Sequence, residues 1–160
     1  YIFNMKIIIH DLEELKLEGN YKIINERNIK NCIGCFSCWT KTPMKCIHND
    51  TCQNIGKDIS NCEELIIISK CIYGSYSSKV KKVLERCISF VYPFFEIRNG
   101  EIHHKLRNNH LKLTVYFYGD ISHEDKTLAI KLVNSNCKNF GIDNSNLKFY
   151  KKVEEIGEIC

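Results

Sequence analysis

Leu65-Ile66-Ile67-Ile68-Ser69 is followed, from residue 80 onward, by Val80, Val83, Leu84, Cys87, Ile88 and Val91. The first run is unbroken, apolar and β-branched, the mark of a strand buried on both faces. The second recurs at i, i+3, i+4, i+7, i+8 and i+11, which is one face of an amphipathic helix. This spacing predicts a helix carrying Val80 to Val91, capped by Ser77 or Ser78 and stopped by Pro93. A buried strand leading directly into such a helix predicts a parallel β-α-β unit.

The same reading extends in both directions. Met5 to His10 is a second buried strand, and Tyr21 to Asn25 a weaker one. Thr51 to Ile59 predicts a short helix capped by Asp50 or Thr51, with Cys52, Ile55 and Ile59 on one face. Residues 94–109 read as irregular, and Leu111 to Tyr118 as a strand. Ser122 with Asp125 forms a capping pair for a helix whose inner face is Ala129, Leu132, Val133 and Cys137, ending near Gly141. Leu147 to Tyr150 is a last strand. Strands alternating with helices predict an α/β fold: an open, doubly wound parallel sheet of five strands in the order 2-1-3-4-5. Only residues 11–20 separate the first two strands. A parallel crossover usually needs a dozen or more, so the first crossover helix is expected to be truncated or absent.

A chain of 160 residues is read as one domain over 1–160, large enough to build a core without staples. Its formal net charge is +4, with bases and acids interspersed except from His103 to Lys112. That stretch reads as a solvated loop, so no nucleic-acid partner is expected. Met5 reads as a start residue, with Tyr1 to Asn4 a remnant before it and no secretory leader after it. No apolar run approaches the ~18 residues of a membrane span. The expectation is a cytoplasmic protein without a membrane partner, in whose compartment thiols stay reduced.

Thiols dominate the chemistry. Of ten cysteines, four fall in Cys32-Ile-Gly-Cys35-Phe-Ser-Cys38 and Cys46, spaced C-x2-C-x2-C-x7-C. Thiolates at this spacing suit a [4Fe-4S] cluster, which takes four Cys, commonly three at x2 spacings and one further off. Zinc, and free thiols or a redox disulfide, are the other readings. His48 and Cys52 are spare ligands nearby. Phe36 and Trp39 either shield the thiols from water or pack on a neighbouring helix. Cys87 and Cys137 fall on apolar helix faces and read as small core residues. No Ser-His-Asp set, Walker loop or paired-carboxylate site is present.

The segment Cys32 to Cys46 resembles the cysteine segment of flavodoxin-like NAD(P)H-dependent FMN reductases, and of the iron-sulfur flavoproteins among them. Ser69-Lys-Cys-Ile-Tyr-Gly-Ser-Tyr-Ser-Ser78 resembles the loop after strand 3 that embraces the flavin ring in that family. The resemblance runs from Met5 to about Tyr150. It implies FMN held by Cys71, Ile72, Tyr73, Gly74, Ser75, Tyr76, Ser77 and Gly119, with Tyr73 or Tyr76 stacked on the ring. It implies a cluster on Cys32, Cys35, Cys38 and Cys46, with NAD(P)H as donor, an electron acceptor as partner, and a homo-oligomer. One departure stands out. Where the family carries a glycine- and serine-rich phosphate loop, this chain has His10-Asp11-Leu12-Glu13-Glu14, whose carboxylates repel a phosphate. A bound FMN would then need another anchor, from His103, His104, Lys105 or Arg107. The alternative is a flavodoxin-like domain that has lost FMN and uses its cysteine loop as a structural metal or protein-binding module.

Overall fold

A computed structural model describes residues 5–15, 19–107 and 111–157. Tyr1 to Asn4, Cys160 and part of the basic stretch, 108–110, lie outside the described residues. The strands are β1 (Lys6–His10), β2 (Tyr21–Ile24), β3 (Glu64–Lys70), β4 (Val91–Arg98), β5 (Glu101–Leu106), β6 (Lys112–Tyr118) and β7 (Ser145–Tyr150). The α-helices are α1 (Ile55–Ser60), α2 (Ser78–Leu84) and α3 (His123–Phe140). Five strands form a parallel sheet in the order β2-β1-β3-β6-β7. The chain thus has an α/β fold, with seven strands among the described residues where five are expected.

The two further strands are an antiparallel hairpin, β4–β5, in the stretch read as irregular. Its turn is Asn99-Gly100, with φ of 51° and 80°, the paired left-handed residues of a two-residue hairpin turn. Pro93, expected to stop a helix, lies inside β4. The helix predicted to run through Val91 is correspondingly shorter. α2 ends at Leu84, and residues 85–90 continue as a 3-10 helix. A 3-10 turn keeps Cys87 and Phe90 buried, so apolar spacing alone does not separate the two.

The doubly wound expectation also needs correction. Ile7, Ile9, Leu65, Ile67, Leu113, Val115 and Phe117 pack with residues of all three α-helices in one core. The opposite face, Ile8, Ile66, Ile68 and Tyr116, is closed by Leu12, Leu15, Val153 and Ile156, none of them on an α-helix. The short 11–20 crossover explains this, because its described residues contain no helix. The caps follow the sequence. Ser77 Oγ accepts from Val80 N, Ser122 Oγ accepts from Asp125 N at 3.0 Å, and Gly141 ends α3 at φ 64°.

Candidate functional site

Sheets of this kind usually bind ligands beyond the strand C-termini, at the switch between the first and third strands. Here that position is filled by the chain itself. Asp11 Oδ2 accepts from Lys70 N at 2.9 Å, and Asp11 Oδ1 accepts from Tyr118 Oη at 2.9 Å. One carboxylate joins the ends of β1, β3 and β6. Burial, and then the Asp11 charge, push the Tyr118 hydroxyl well above its ordinary value. His10 is buried, and its Nδ1 accepts from Leu12 N at 3.1 Å. Desolvation holds its pKa below the ordinary histidine value.

The expected flavin loop is mostly committed inward. Ile72 and Ser75 exchange backbone hydrogen bonds around Tyr73-Gly74, both at positive φ. Gly74 faces α3, not open space: a methyl there would meet Leu128 Cβ and, at 2.9 Å, Asp125 O. Tyr76 is buried, stacks on Phe117, accepts a hydrogen bond from Asn136 and is pushed up to about 12 by burial. It is not free to stack on a ligand. The Cys71 thiol is buried, and Ser77 N donates to Ser69 Oγ. Gly119 N donates to Tyr150 O. Of the expected FMN contacts, Tyr73 and Ile72 are the exposed ones.

The proposed substitute phosphate anchors lie elsewhere. His103 and His104 are on β5, not in a loop, and Arg107 Nε donates to Ser89 O. This hairpin meets the end of α3, where a methyl on Gly141 would run into Leu106 and Arg98. Gly74 meets the start of α3, and thirteen residues of helix make a gap of about 20 Å. The substitute anchors on and beside β5 and the Tyr73 turn therefore cannot share one small ligand.

The cysteine segment lies toward the hairpin end. Its turns are built on carbonyls. Ser37 O accepts from Thr40, Lys41 and Thr42 N, while Cys38 O accepts from Met44 N. Gly34 and Phe36 take left-handed backbone at φ 64° and 53°. Trp39 Nε1 donates to Val91 O at 2.9 Å, and its ring packs against Phe36 and His104. Trp39 therefore docks the loop on the hairpin, not on a helix as one reading had it.

A buried ion pair closes the base of this loop. The Arg86 side chain is 0% exposed and Asp50 6%, joined by two hydrogen bonds of 2.9 and 3.0 Å. Arg86 also donates to Lys30 O at 2.7 Å, and Asp50 accepts from Lys30 N and Cys52 N. Asp50 thus binds both ends of the segment and does not cap α1. Burial opposes its charge, but the Arg86 and backbone hydrogen bonds outweigh this and hold its carboxyl below the ordinary range. Burial likewise opposes the Arg86 charge, and the Asp50 carboxylate and Cys46 thiol outweigh it. Sequence reasoning missed this pair, since the partners lie 36 residues apart.

Cys32, Cys35, Cys38 and Cys46 line one cavity of about 120 Å³, together with His48 and Arg86. Two groups bordering it, His48 Nε2 and Arg86 Nε, are buried without a hydrogen-bond partner. Hydrogen bonds from Ser37 lower the Cys35 thiol pKa. Burial raises that of Cys38, and the neighbouring thiols Cys46, Cys32 and Cys35 add to it, so the four sense one another. Cys52 is apart from them, buried in the core and pushed up to about 11 by desolvation. Cys87 and Cys137 are core residues. Among the described residues, no group of three or more His, Cys, Asp or Glu stands ready to hold a single metal ion. No helix among them is long and apolar enough to cross a membrane.

Comparisons with family models, with curated proteins and with solved structures found no match.

Proposed function

We propose that this chain is a one-electron redox domain in which Cys32, Cys35, Cys38 and Cys46 hold an iron-sulfur cluster. The observation behind this reading is that all four thiols border one cavity, two of whose other lining residues, His48 and Arg86, each carry a buried nitrogen without a partner. Buried polar groups are rarely left unpaired, and such exceptions mark positions where something else supplies the partner. The thiols surround a volume and not a point, which favours a multi-atom cluster over one zinc ion.

A bound cluster would supply single-electron transfer at a potential set by its thiolates, its hydrogen bonds and its exposure to water. The remaining roles belong to the chain. Ser37 favours ionisation of Cys35, preparing it as a ligand. Arg86 places a permanent positive charge beside Cys46 and offsets the repulsion of clustered thiolates. His48 Nε2 and Arg86 Nε offer hydrogen bonds to sulfur. Phe36 lines the cavity with Trp39 stacked on its ring, and the Asp50–Arg86 clasp keeps the loop ends together.

The flavin part of the expected activity has less behind it. Tyr73 presents an exposed ring, but Asp11 holds the position where a phosphate would need donors. The reading is therefore an electron carrier first and a flavin reductase second.

The test is purification without oxygen, followed by iron, sulfide, zinc and flavin analysis and a visible spectrum. A cluster of the [4Fe-4S] type gives roughly four iron and four sulfide per chain and broad absorption bleached by dithionite. Cys35→Ser with Cys38→Ser should abolish it. One zinc per chain and no colour would replace this reading with the structural metal module. Flavin bands reduced by NAD(P)H would restore the reductase.

A further inference from the structure

A second cavity, an apolar cleft of about 630 Å³, adjoins the cysteine cavity and shares Cys32, Gly34, Glu85 and Ile88 with it. Its apolar walls come from Leu84, Cys87, Ile88, Phe90, Val91 and Phe140. That volume and character are those of a small-molecule site, roughly 300–1,000 Å³ with a few placed polar groups.

One such group is present. His104 lines the cleft, and its Nδ1 is buried without a hydrogen-bond partner. Its ring stacks on Phe95 at 4.6 Å and packs at a tilt against Trp39 at 5.0 Å. These two rings hold the imidazole beside the cleft with one buried nitrogen unpaired. The charge of the lining narrows the ligand further. Among the described residues, Glu85 is the sole charged one lining it, with no Lys or Arg. An anion would be desolvated without compensation, so phosphate-bearing cofactors do not suit the cleft.

We propose that this cleft binds a small, flat, uncharged aromatic molecule carrying a hydrogen-bonding oxygen, with His104 Nδ1 as its polar anchor. Apolar walls take the ring, and a carbonyl or hydroxyl pairs the buried nitrogen in either imidazole tautomer. The binding stands on the cleft alone. It goes beyond the redox reading above and does not depend on it.

The probe is 1-naphthol, which is neutral at pH 7, does not react with thiols and reports binding through its own fluorescence. It is titrated into the full chain beside 1-naphthalenesulfonate, its anionic counterpart. The expected result is one saturable site for 1-naphthol and at least tenfold weaker binding of the sulfonate. His104→Phe keeps the ring stack, removes the nitrogen, and should weaken 1-naphthol by about tenfold, the effect of one buried hydrogen bond. Ile88→Trp adds bulk to the cleft wall while leaving the His104 side chain in place and should abolish binding, with the circular dichroism of both variants unchanged. No saturable binding to the parent, equal binding of the sulfonate, or binding untouched by both substitutions would overturn the proposal. Because 1-naphthol needs no electron, a missing cluster in the iron analysis would sink the redox reading and leave this result standing.

Discussion

At the C-terminal edge of the sheet, polar groups find partners within the chain. Asp11 takes up Lys70 N and the Tyr118 hydroxyl, and Ser69 and Ser77 bond one another's neighbourhood closed. At the hairpin end of the helix layer, His48 Nε2, Arg86 Nε and His104 Nδ1 are buried and unpartnered beside two cavities. The difference shows why fold-level rules locate sites imperfectly. The switch point of a parallel sheet attracts ligands because free strand-end donors gather there. Once a carboxylate of the chain consumes those donors, the attraction is gone. What marks a site is the unpaired group, wherever the fold leaves it.

The largest expected effect separates the two ends directly. Arg86→Met leaves Asp50 buried without its partner and should destabilise the metal-free protein by about 3–5 kcal/mol, read from urea unfolding. The loss should depend on pH. The Asp50 carboxyl lies below the ordinary range when folded, so the unfolded chain takes up the proton first on acidification. Its contribution is complete above the ordinary carboxylate range and disappears as pH falls through the folded value. The gap between parent and Arg86→Met should therefore narrow on acidification through that range. A gap that is constant with pH would break the assignment.

Asp11→Ala at the other end should cost less, about 1–2 kcal/mol, because Lys70 N and the Tyr118 hydroxyl lose one acceptor that water can partly replace. Thermal unfolding in phosphate sharpens the comparison. If inorganic phosphate stabilises Asp11→Ala but not the parent, the edge is a ligand site kept shut by its own side chain.

Two smaller effects probe the supports of the cysteine end. Gly100 sits at φ 80° with open space around its missing side chain, so Gly100→Ala should cost only backbone strain, about 1 kcal/mol. Ser37→Ala should slow iodoacetamide labelling of Cys35 by about two- to fivefold at neutral pH, read by peptide mass spectrometry. Buried Cys62, its thiol pushed up to about 12 by desolvation, should label only on unfolding.

The sheet was legible because its signals are local. Apolar β-branched runs such as Leu65 to Ile68 report burial by composition alone, and Ser77, Ser122 and Gly141 mark helix ends one residue at a time. The hairpin had a local signal too, in Asn99-Gly100, but Pro93 masked it by resembling a helix stop. The convergence of the four cysteines followed from their spacing. The groups that shape their cavity did not. Arg86 lies on an apolar-periodic segment where a charge reads as solvent-facing, and its burial depends on Asp50, far away in the chain. His104 gains its setting from Trp39, which is equally remote in sequence. Long-range pairing of this kind is absent from any window of residues.

Trp39 is the chain's one tryptophan. Its indole bonds Val91 O and packs between Phe36 and His104, at the joint between the cysteine loop and the hairpin. The protein therefore carries an intrinsic fluorophore at the place where its chemistry is proposed. Release of the loop exposes the indole and moves its emission to longer wavelength, while a coloured group beside it shortens the excited-state lifetime by energy transfer. Loop docking and site occupancy can thus be followed on one unlabelled residue, in the same sample and at the same moment.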